Sequence, residues 1–532
     1  MLLGQCTGHR DHRRPPSLAA LATTLMEELQ RDDAQALDSV LGPVAGILLD
    51  HKKERALVWR DRFGRIPMQL VELRDGWCVT TSPEAVGLVS AGRPRRSVLA
   101  NYLSQNRETT PLDFFDDVER IRPGECVLLT AGGVHRRQFW WAPRPAKVDP
   151  HKAGAAMAEV VQRITDPWRR TPHILTLSGG IDSAVIAAVA TRHQRASRAV
   201  TLVDPLSPRS ELAAAAQTAK ALSLRWTCFD IRNHWPLSRL GDHRLPPAWG
   251  PPAFPDAAWR IPMHRWLRPR FGDLPLVCGN GADEALWISS ADWLRHQWQH
   301  LELAELARAA RHLSFRRWAG PGLRVAFGDA RFEALRPVLP VQRTSLPVWQ
   351  CPDHWLHSDL LRDCSPPADD HQARRLDRLK TLRWELAMRS IAQEERLTGR
   401  KIFAPFLDPR FWELSLGLTI ESLVVRGRQK AVLRQLVADQ LPMAWATRQK
   451  FGGFDDLVER GLAEREVPRV IGLIARSQME GWARFDREAF LTAFEAYRRP
   501  PRLGEHRASY RGSWAIWSTL AAELWLRRCR GF

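Results

Sequence analysis

The chain has 532 residues, with 78 Lys and Arg against 59 Asp and Glu, a formal net charge of +19, 44% hydrophobic and 26% charged residues. This length exceeds one ordinary core and predicts two or three domains of a globular protein. No run approaches the roughly 18 apolar residues of a membrane span, and the eight cysteines are scattered without a C-x-x-C pair, which excludes a disulfide framework and reads as reduced thiols.

The start, MLLGQCTGHRDHRRPP, lacks the apolar core of a signal peptide, which predicts a cytoplasmic protein with no membrane partner. Residues 39–141 read as β-rich: VAGILLD, ALVWR, MQLVEL, WCVTT and CVLLT are short apolar runs separated by turn signals. APRPAKVDP, 142–150, is Pro-rich and polar and predicts a linker. Strand and helix patterns then alternate. HILTL, RAVTLV, RWTCFD and LPLVC are the strands, and SAVIAAVATRH, SELAAAAQTAKAL and DAAWRIPMHRWL the helices, predicting a parallel sheet covered on both faces. From about 291 the pattern is helical and rich in Trp and Leu, most of it core at helical spacing. Within it Cys351, His354, His357 and Cys364 could ring a zinc ion, although an ordinary loop and helix is the plainer reading of one compact cluster.

The chemistry concentrates in two loops. In HILTLSGGIDS, Ser178, Gly179 and Gly180 can turn the backbone so that its N–H groups point outward, toward the spot where the following helix presents its N-terminus; together they make an anion site of phosphate size. The Walker pattern is absent. Asp182 would be repelled by a phosphate there unless a cation lay between, which points to Mg²⁺. A capping Asp in a tight turn would explain this loop alone, but LPLVCGNGADE repeats the arrangement with Asp283 and Glu284. With HILTL as first strand and LPLVC as fourth, the two loops face one another at the crevice of a doubly wound sheet, and Asp182 and Asp283 could share a metal that bridges a triphosphate. The basic charge suits ATP, pyrophosphate or an acidic peptide as well as nucleic acid, and the arginines are spread without a single patch.

SGGIDS and GNGADE resemble the pyrophosphatase loop and second acidic loop of ATP-dependent amide-forming enzymes similar to asparagine synthetase. APFLDPRFWEL (404–414), KAVLRQLVADQLP (430–442) and RQKFGGF (448–454) continue the likeness in order, and WRDRFGRIPM, TTSPEAV and DVERIRPGECVLL resemble the amidotransferase half of such enzymes. The resemblance implies an α/β protein: an Ntn-type α+β sandwich over 1–145, then, over 146–532, a doubly wound PP-loop synthetase domain with a helical C-terminal part. A glutaminase of that type uses a cysteine as processed first residue; the chain begins Met1-Leu2-Leu3 and Cys6 is internal, so an amidotransferase-like domain without glutaminase activity is expected. The nucleophile would then be an amine of the substrate itself, as in β-lactam synthetases and lasso-peptide cyclases. Asn280 carries neither the Glu usual in asparagine synthetases nor the Tyr of β-lactam synthetases, and the Trp- and Arg-rich helical region is most similar to the lasso cyclases.

That resemblance implies adenylation of an Asp or Glu side chain in a precursor peptide and closure of a macrolactam with its N-terminal amine. A β-lactam or asparagine synthetase is the alternative. A tRNA-modifying PP-loop enzyme would carry an RNA-binding appendage and usually a cysteine pair, neither evident here, which argues against a nucleic-acid partner. A leader-peptide-binding protein and a leader protease are the expected partners, ATP and Mg²⁺ the expected cofactors. The amides of Ser178 to Ser183, with Gly179 and Gly180, would hold pyrophosphate; Leu177, Val203, Cys278 and Gly279 would cradle adenosine; Asp182 and Asp283 would hold the metal. Lys450 matches the lysine near the reacting phosphates. Glu385 is the expected base by its position ahead of the Pro-Phe-Leu-Asp segment, an exposed helix acid paired with arginines being the alternative. Lys430 is read as supporting phosphate or packing, not as catalytic.

Overall fold

The computed structural model describes residues 2–4, 8–9, 23, 37–38, 40–90, 92–104, 111–141, 143–168, 171–192, 198–207, 211–238, 249–288, 292–293, 296–297, 300, 371–425, 428–442, 453–480, 485–499 and 510–529. Lys450 and the Cys351, His354, His357 and Cys364 group lie outside the described residues.

The N-terminal region is built on antiparallel strands. Strands β1 (Leu2–Gly4), β2 (Val44–Asp50), β3 (Arg55–Trp59), β7 (Glu125–Thr130) and β8 (Gly133–Phe139) form one sheet in the order β1-β2-β3-β7-β8, while β4 (Gln69–Leu73), β5 (Gly76–Thr80) and β6 (Val118–Arg120) form a second. Alternation sends Ala45, Val58 and Val127 from the first sheet and Leu70 from the second into one shared core, so the sheets pack face to face. Helix α1 (Pro83–Val89) packs on the second sheet, and α2 (Arg96–Leu103) packs against helices from later in the chain.

A five-stranded parallel sheet organises the rest. Its strands are β9 (Ile174–Thr176), β10 (Arg198–Val203), β11 (Arg225–Asp230), β12 (Leu276–Val277) and β13 (Ile402–Phe403), in the order β11-β10-β9-β12-β13. The order reverses at β9, which pairs β10 on one side and β12 on the other, and that reversal opens a crevice at the carboxyl ends of the strands. Helix α3 (Ala153–Thr165) leads into the sheet, and α4 (Ile181–Thr191), α5 (Leu212–Ala221), α6 (Ala257–Phe271) and α7 (Ala282–Leu286) follow its strands. Nearly every residue of α4 is buried, which its Ala, Val and Ile content permits on all sides. Helices α8 (His371–Lys380) and α9 (Leu382–Thr398) precede β13. Beyond it the chain is helical: α10 (Pro409–Gly417), α11 (Ala431–Leu436), α12 (Asp455–Arg460), α13 (Val467–Ile474), α14 (Arg487–Arg498) and α15 (Tyr510–Cys529). The resulting fold is the expected one: an antiparallel N-terminal part, a parallel synthetase sheet and a helical C-terminal part.

One apolar core runs across both parts. Phe63 packs against Trp412, with ring centroids 5.7 Å apart, and Phe114 against Trp525 at 5.4 Å. No described helix is long and apolar enough to cross a membrane.

Candidate active site

The two Gly-broken loops meet at the crevice. Gly179 has φ +74° and stands so close to the next segment that a Cβ there would lie 2.7 Å from the Glu211 carbonyl oxygen. Only glycine tolerates both demands. The second loop crosses the first turn of α4: a Cβ on Gly279 would stand 2.9 Å from Cβ of Asp182. The contact explains the glycine and shows directly that the loops share one site.

Serines hold the first loop in shape. Ser183 Oγ donates to the Gly180 carbonyl at 3.0 Å and accepts the Ser178 amide at 3.1 Å. The Ser178 amide is therefore occupied inside the loop, a departure from the expectation that every amide from Ser178 to Ser183 faces a phosphate. The Leu177 carbonyl accepts from Thr201 Oγ1 at 2.6 Å, fixing β9 to β10 at the crevice.

Asp182 and Asp283 converge on one cation. Lys430 Nζ lies 2.6 Å from both carboxylate oxygens of Asp182 and 2.6 Å from Asp283 Oδ1. Its side chain is 5% exposed and that of Asp283 58%, so the ammonium closes the site from inside. Burial works against the charge of Lys430, yet the two carboxylates outweigh it and hold the ammonium above its ordinary pKa. Lys430 reaches this point as the N-cap residue of α11 with φ +58°, a left-handed conformation that costs a non-glycine residue about 1 kcal/mol or more. From the sequence Lys430 is expected to support phosphate or packing and the carboxylates to hold a metal; the structure shows that the two acids meet, and that this lysine is what they meet on. Glu284, next in the chain, has its carboxyl pushed up by burial and then by its neighbour Asp283.

These loops line a cavity of about 420 Å³. Leu177, Ser178, Asp182, Ser183, Val203, Cys278, Gly279 and Asp283 line it; Gly179 and Gly180 shape the loop without lining the cavity. Gly453 and Phe454, which follow Lys450 in the chain, also line it. The opposite wall comes from α6 and α9: Arg260 and Met263, then Trp384, Met388, Ile391 and Glu394. In the Pro-Phe-Leu-Asp segment, Asp408 serves as N-cap of α10, accepting the Arg410 amide at 2.9 Å.

Glu385 is not in this wall. Its oxygens are taken by Arg60 Nη1 and Arg389 Nε, each at 2.7 Å, and its side chain is 3% exposed. Burial alone would raise its pKa, but the guanidinium groups of Arg60, Arg389 and Arg120 hold it down to about 2. A carboxylate so stabilised is a poor proton acceptor and cannot reach a substrate in the cavity. The expected base is thus corrected to an ion-pair role between the two parts of the protein. On the same helix, Glu394 faces the cavity, its oxygens paired with His264 Nε2 at 2.5 Å and Arg260 Nε at 2.6 Å. Burial would raise its carboxyl, but Arg260 and His264 hold it below the usual range. Arg260 and His264 stand one helical turn apart on α6, and that i, i+4 pairing of cationic types was the available sign that an acid lies opposite.

A family model for asparagine synthase matches residues 169–527, and one for a glutamine amidotransferase domain matches residues 22–140. No curated protein matches the chain. Among solved structures, the chain is similar to an allosteric regulatory enzyme of purine biosynthesis, with 12% identity over 40% of this chain and 37% of that one, little more than a third of its length, at a TM-score of 0.17. It is similar to an NH3-dependent NAD synthetase from Campylobacter jejuni subsp. jejuni NCTC 11168, with 17% identity over 37% of this chain and 96% of that one, at a TM-score of 0.20. A glutamine-dependent NAD+ synthetase from Acinetobacter baumannii, in complex with adenosine diphosphate, shares 14% identity over 51% of this chain and 66% of that one, at a TM-score of 0.19. These likenesses add nothing to what the family match covers, which is two-thirds of the sequence. The chain belongs to the asparagine synthase family of ATP-dependent carbon–nitrogen ligases.

Proposed function

We propose that the protein adenylates an Asp or Glu side chain of a precursor peptide and closes a macrolactam with the peptide's N-terminal amine, as lasso-peptide cyclases do. The carrying observation is the wall opposite the phosphate loops, where Phe254, Met263, Trp384, Met388, Ile391 and Phe454 offer apolar surface to a substrate. A peptide has apolar side chains to place there; free aspartate has none.

A carboxylate oxygen of the peptide attacks the α-phosphorus of ATP. The new O–P bond forms as the α–β bridge breaks, and pyrophosphate leaves. The amine then attacks the acyl carbon, the C–N bond forms, a proton is lost and AMP departs. Asp182 and Asp283 fit a shared Mg²⁺, because their carboxylates already reach one cation; no group of three or more His, Cys, Asp or Glu suited to a metal occurs among the described residues, so phosphate and water oxygens would complete the shell. Bound there, the ion would supply charge neutralisation to the phosphates. The loop from Ser178 to Ser183 would hold pyrophosphate, while Leu177, Val203, Cys278 and Gly279 would border adenosine. Lys450 would stabilise developing phosphate charge, and Glu394, fixed by Arg260 and His264, would hold the amine at the cavity wall. A leader-peptide-binding protein and a leader protease in the cytoplasm would deliver the peptide.

The test is a mass spectrum. Protein, ATP and Mg²⁺ are incubated with a core peptide carrying a free N-terminus and an internal Asp or Glu, and in parallel with aspartate and ammonia. AMP, pyrophosphate and a peptide lighter by one water are expected. Asparagine with an untouched peptide would return the enzyme to a small-molecule substrate.

A further inference from the structure

We infer that Arg260 is the carboxylate subsite of the cavity, holding the acid group of the substrate before its activation; this rests on the adenylating reading above. The lining carries seven carboxylates, from Asp182 to Glu394, and Arg260 is its single Lys or Arg among the described residues. Away from the phosphate loops, an anionic group entering so acidic a space meets attraction from a lining side chain only at this guanidinium. Lys430 offers no second choice, since it lies behind the loops and is committed to Asp182 and Asp283.

Arg260 is also held in a way that suits a carboxylate. Its Nε donates to Glu394 Oε2 at 2.6 Å, and Glu394 is fixed in turn by His264. One edge of the planar fork is thereby anchored, while neither terminal nitrogen has a partner among the described residues. That remaining edge presents two parallel N–H donors, the geometry that matches a carboxylate in bidentate fashion. The side chain is 21% exposed, enough for a ligand to reach and too little for water to satisfy it fully. Its position is appropriate to activation, because it lines the same cavity as Cys278, which leads directly into the Gly279–Asp283 loop. Met263, Met388 and Ile391 line the same cavity and would surround the methylenes of an Asp or Glu side chain.

Glutarate, which has carboxylates and no amine, tests this on the full-length protein saturated with α,β-methylene-ATP, by ligand-observed NMR titration. The wild type is expected to bind glutarate, Arg260→Gln to weaken it about tenfold or more, and Arg260→Lys to weaken it less, since a point charge replaces the fork. Nucleotide affinity should stay within about twofold in both variants. Equal glutarate binding by wild type and Arg260→Gln, or no glutarate binding to nucleotide-loaded wild type, overturns the subsite. Loss of nucleotide with glutarate unaffected also overturns it, assigning Arg260 to phosphate. If Arg260→Gln loses both ligands, Arg260→Lys decides: weakened glutarate with nucleotide retained supports the subsite, and any other result rejects it. A wild type that binds no nucleotide would instead defeat the adenylating reading on which the subsite rests.

Discussion

Glu385 and Glu394 share a helix and are nine residues apart, and at 100° per residue this places them on opposite faces. Glu385 faces the N-terminal part, between Arg60 and Arg389, while Glu394 faces the cavity with Arg260 and His264. Their substitutions should therefore separate cleanly. Glu385→Gln leaves buried guanidinium groups without their counter-charge and is expected to cost about 3–5 kcal/mol, read as a lower urea midpoint. Glu394→Gln should lower amide formation about 100-fold and ATP–pyrophosphate exchange less, because the carboxylate that holds the amine is gone while Arg260 loses one anchor of its fork. An equal loss of both half-reactions would remove Glu394 from the second step. Acid carries a further signature of Glu385. Its folded pKa of about 2 lies below the ordinary 4.5, so its contribution to stability is complete above 4.5 and is lost as the pH falls toward 2. Urea midpoints at successively lower pH should show wild type approaching Glu385→Gln; parallel curves would contradict the assignment.

At the scale of elements, the loops after β9 and β12 make the site by touching. Gly279→Ala would put a methyl group 2.9 Å from Cβ of Asp182 and 3.0 Å from the Ser183 amide nitrogen, inside van der Waals contact. The expected outcome is loss of ATP binding by at least about tenfold, with far-UV circular dichroism unchanged, because the strain falls on the loops and not on the sheet; wild-type affinity would show that the loops yield freely. Much of this was legible in the sequence. RAVTLV and RWTCFD occupy β10 and β11 residue for residue, because short runs of β-branched and aromatic residues bounded by turn signals have little else to become. LPLVC was expected as the fourth strand and lies beside β9, which is why its acidic loop could be paired with SGGIDS in advance. Strand β13 was not legible: two residues, Ile402 and Phe403, carry no periodicity, and only pairing with β12 makes them a strand. Glu394 was hidden for a different reason. Three acids stand on α9, Glu385, Glu394 and Glu395, and what separates Glu394 from Glu385 is a partner distant in the chain, His264 for one and Arg60 for the other, 130 and 325 residues away.

The whole molecule is closed by a buried ionic clasp whose reach extends to the cavity. Arg60, fully buried, donates to the carbonyl oxygens of Ile66, Ile121 and Gly64 in its own region and to Glu385 across the interface. Arg389 answers from α9 with a bidentate pair to Asp113, at 2.9 and 2.6 Å. Between them Trp384 donates its indole N–H to the Phe63 carbonyl at 2.9 Å while lining the cavity. The N-terminal part thus holds one face of α9, and the other face of α9 is a wall of the site. Arg60→Met removes the central donor of the clasp but keeps much of its apolar stem, so the surrounding core of Phe63, Trp141 and Trp412 remains packed. Hydrogen exchange should then accelerate about tenfold or more over 382–398, with β10 and β11, at the far side of the sheet, unchanged. Binding of the proposed peptide substrate should weaken with it, because Trp384, Met388 and Ile391 lose a fixed backing, whereas nucleotide binding at the strand ends should not. Uniform acceleration across β10, β11 and α9 would mean that Arg60 supports global stability alone; unchanged exchange in α9 would mean that the N-terminal part does not hold the wall.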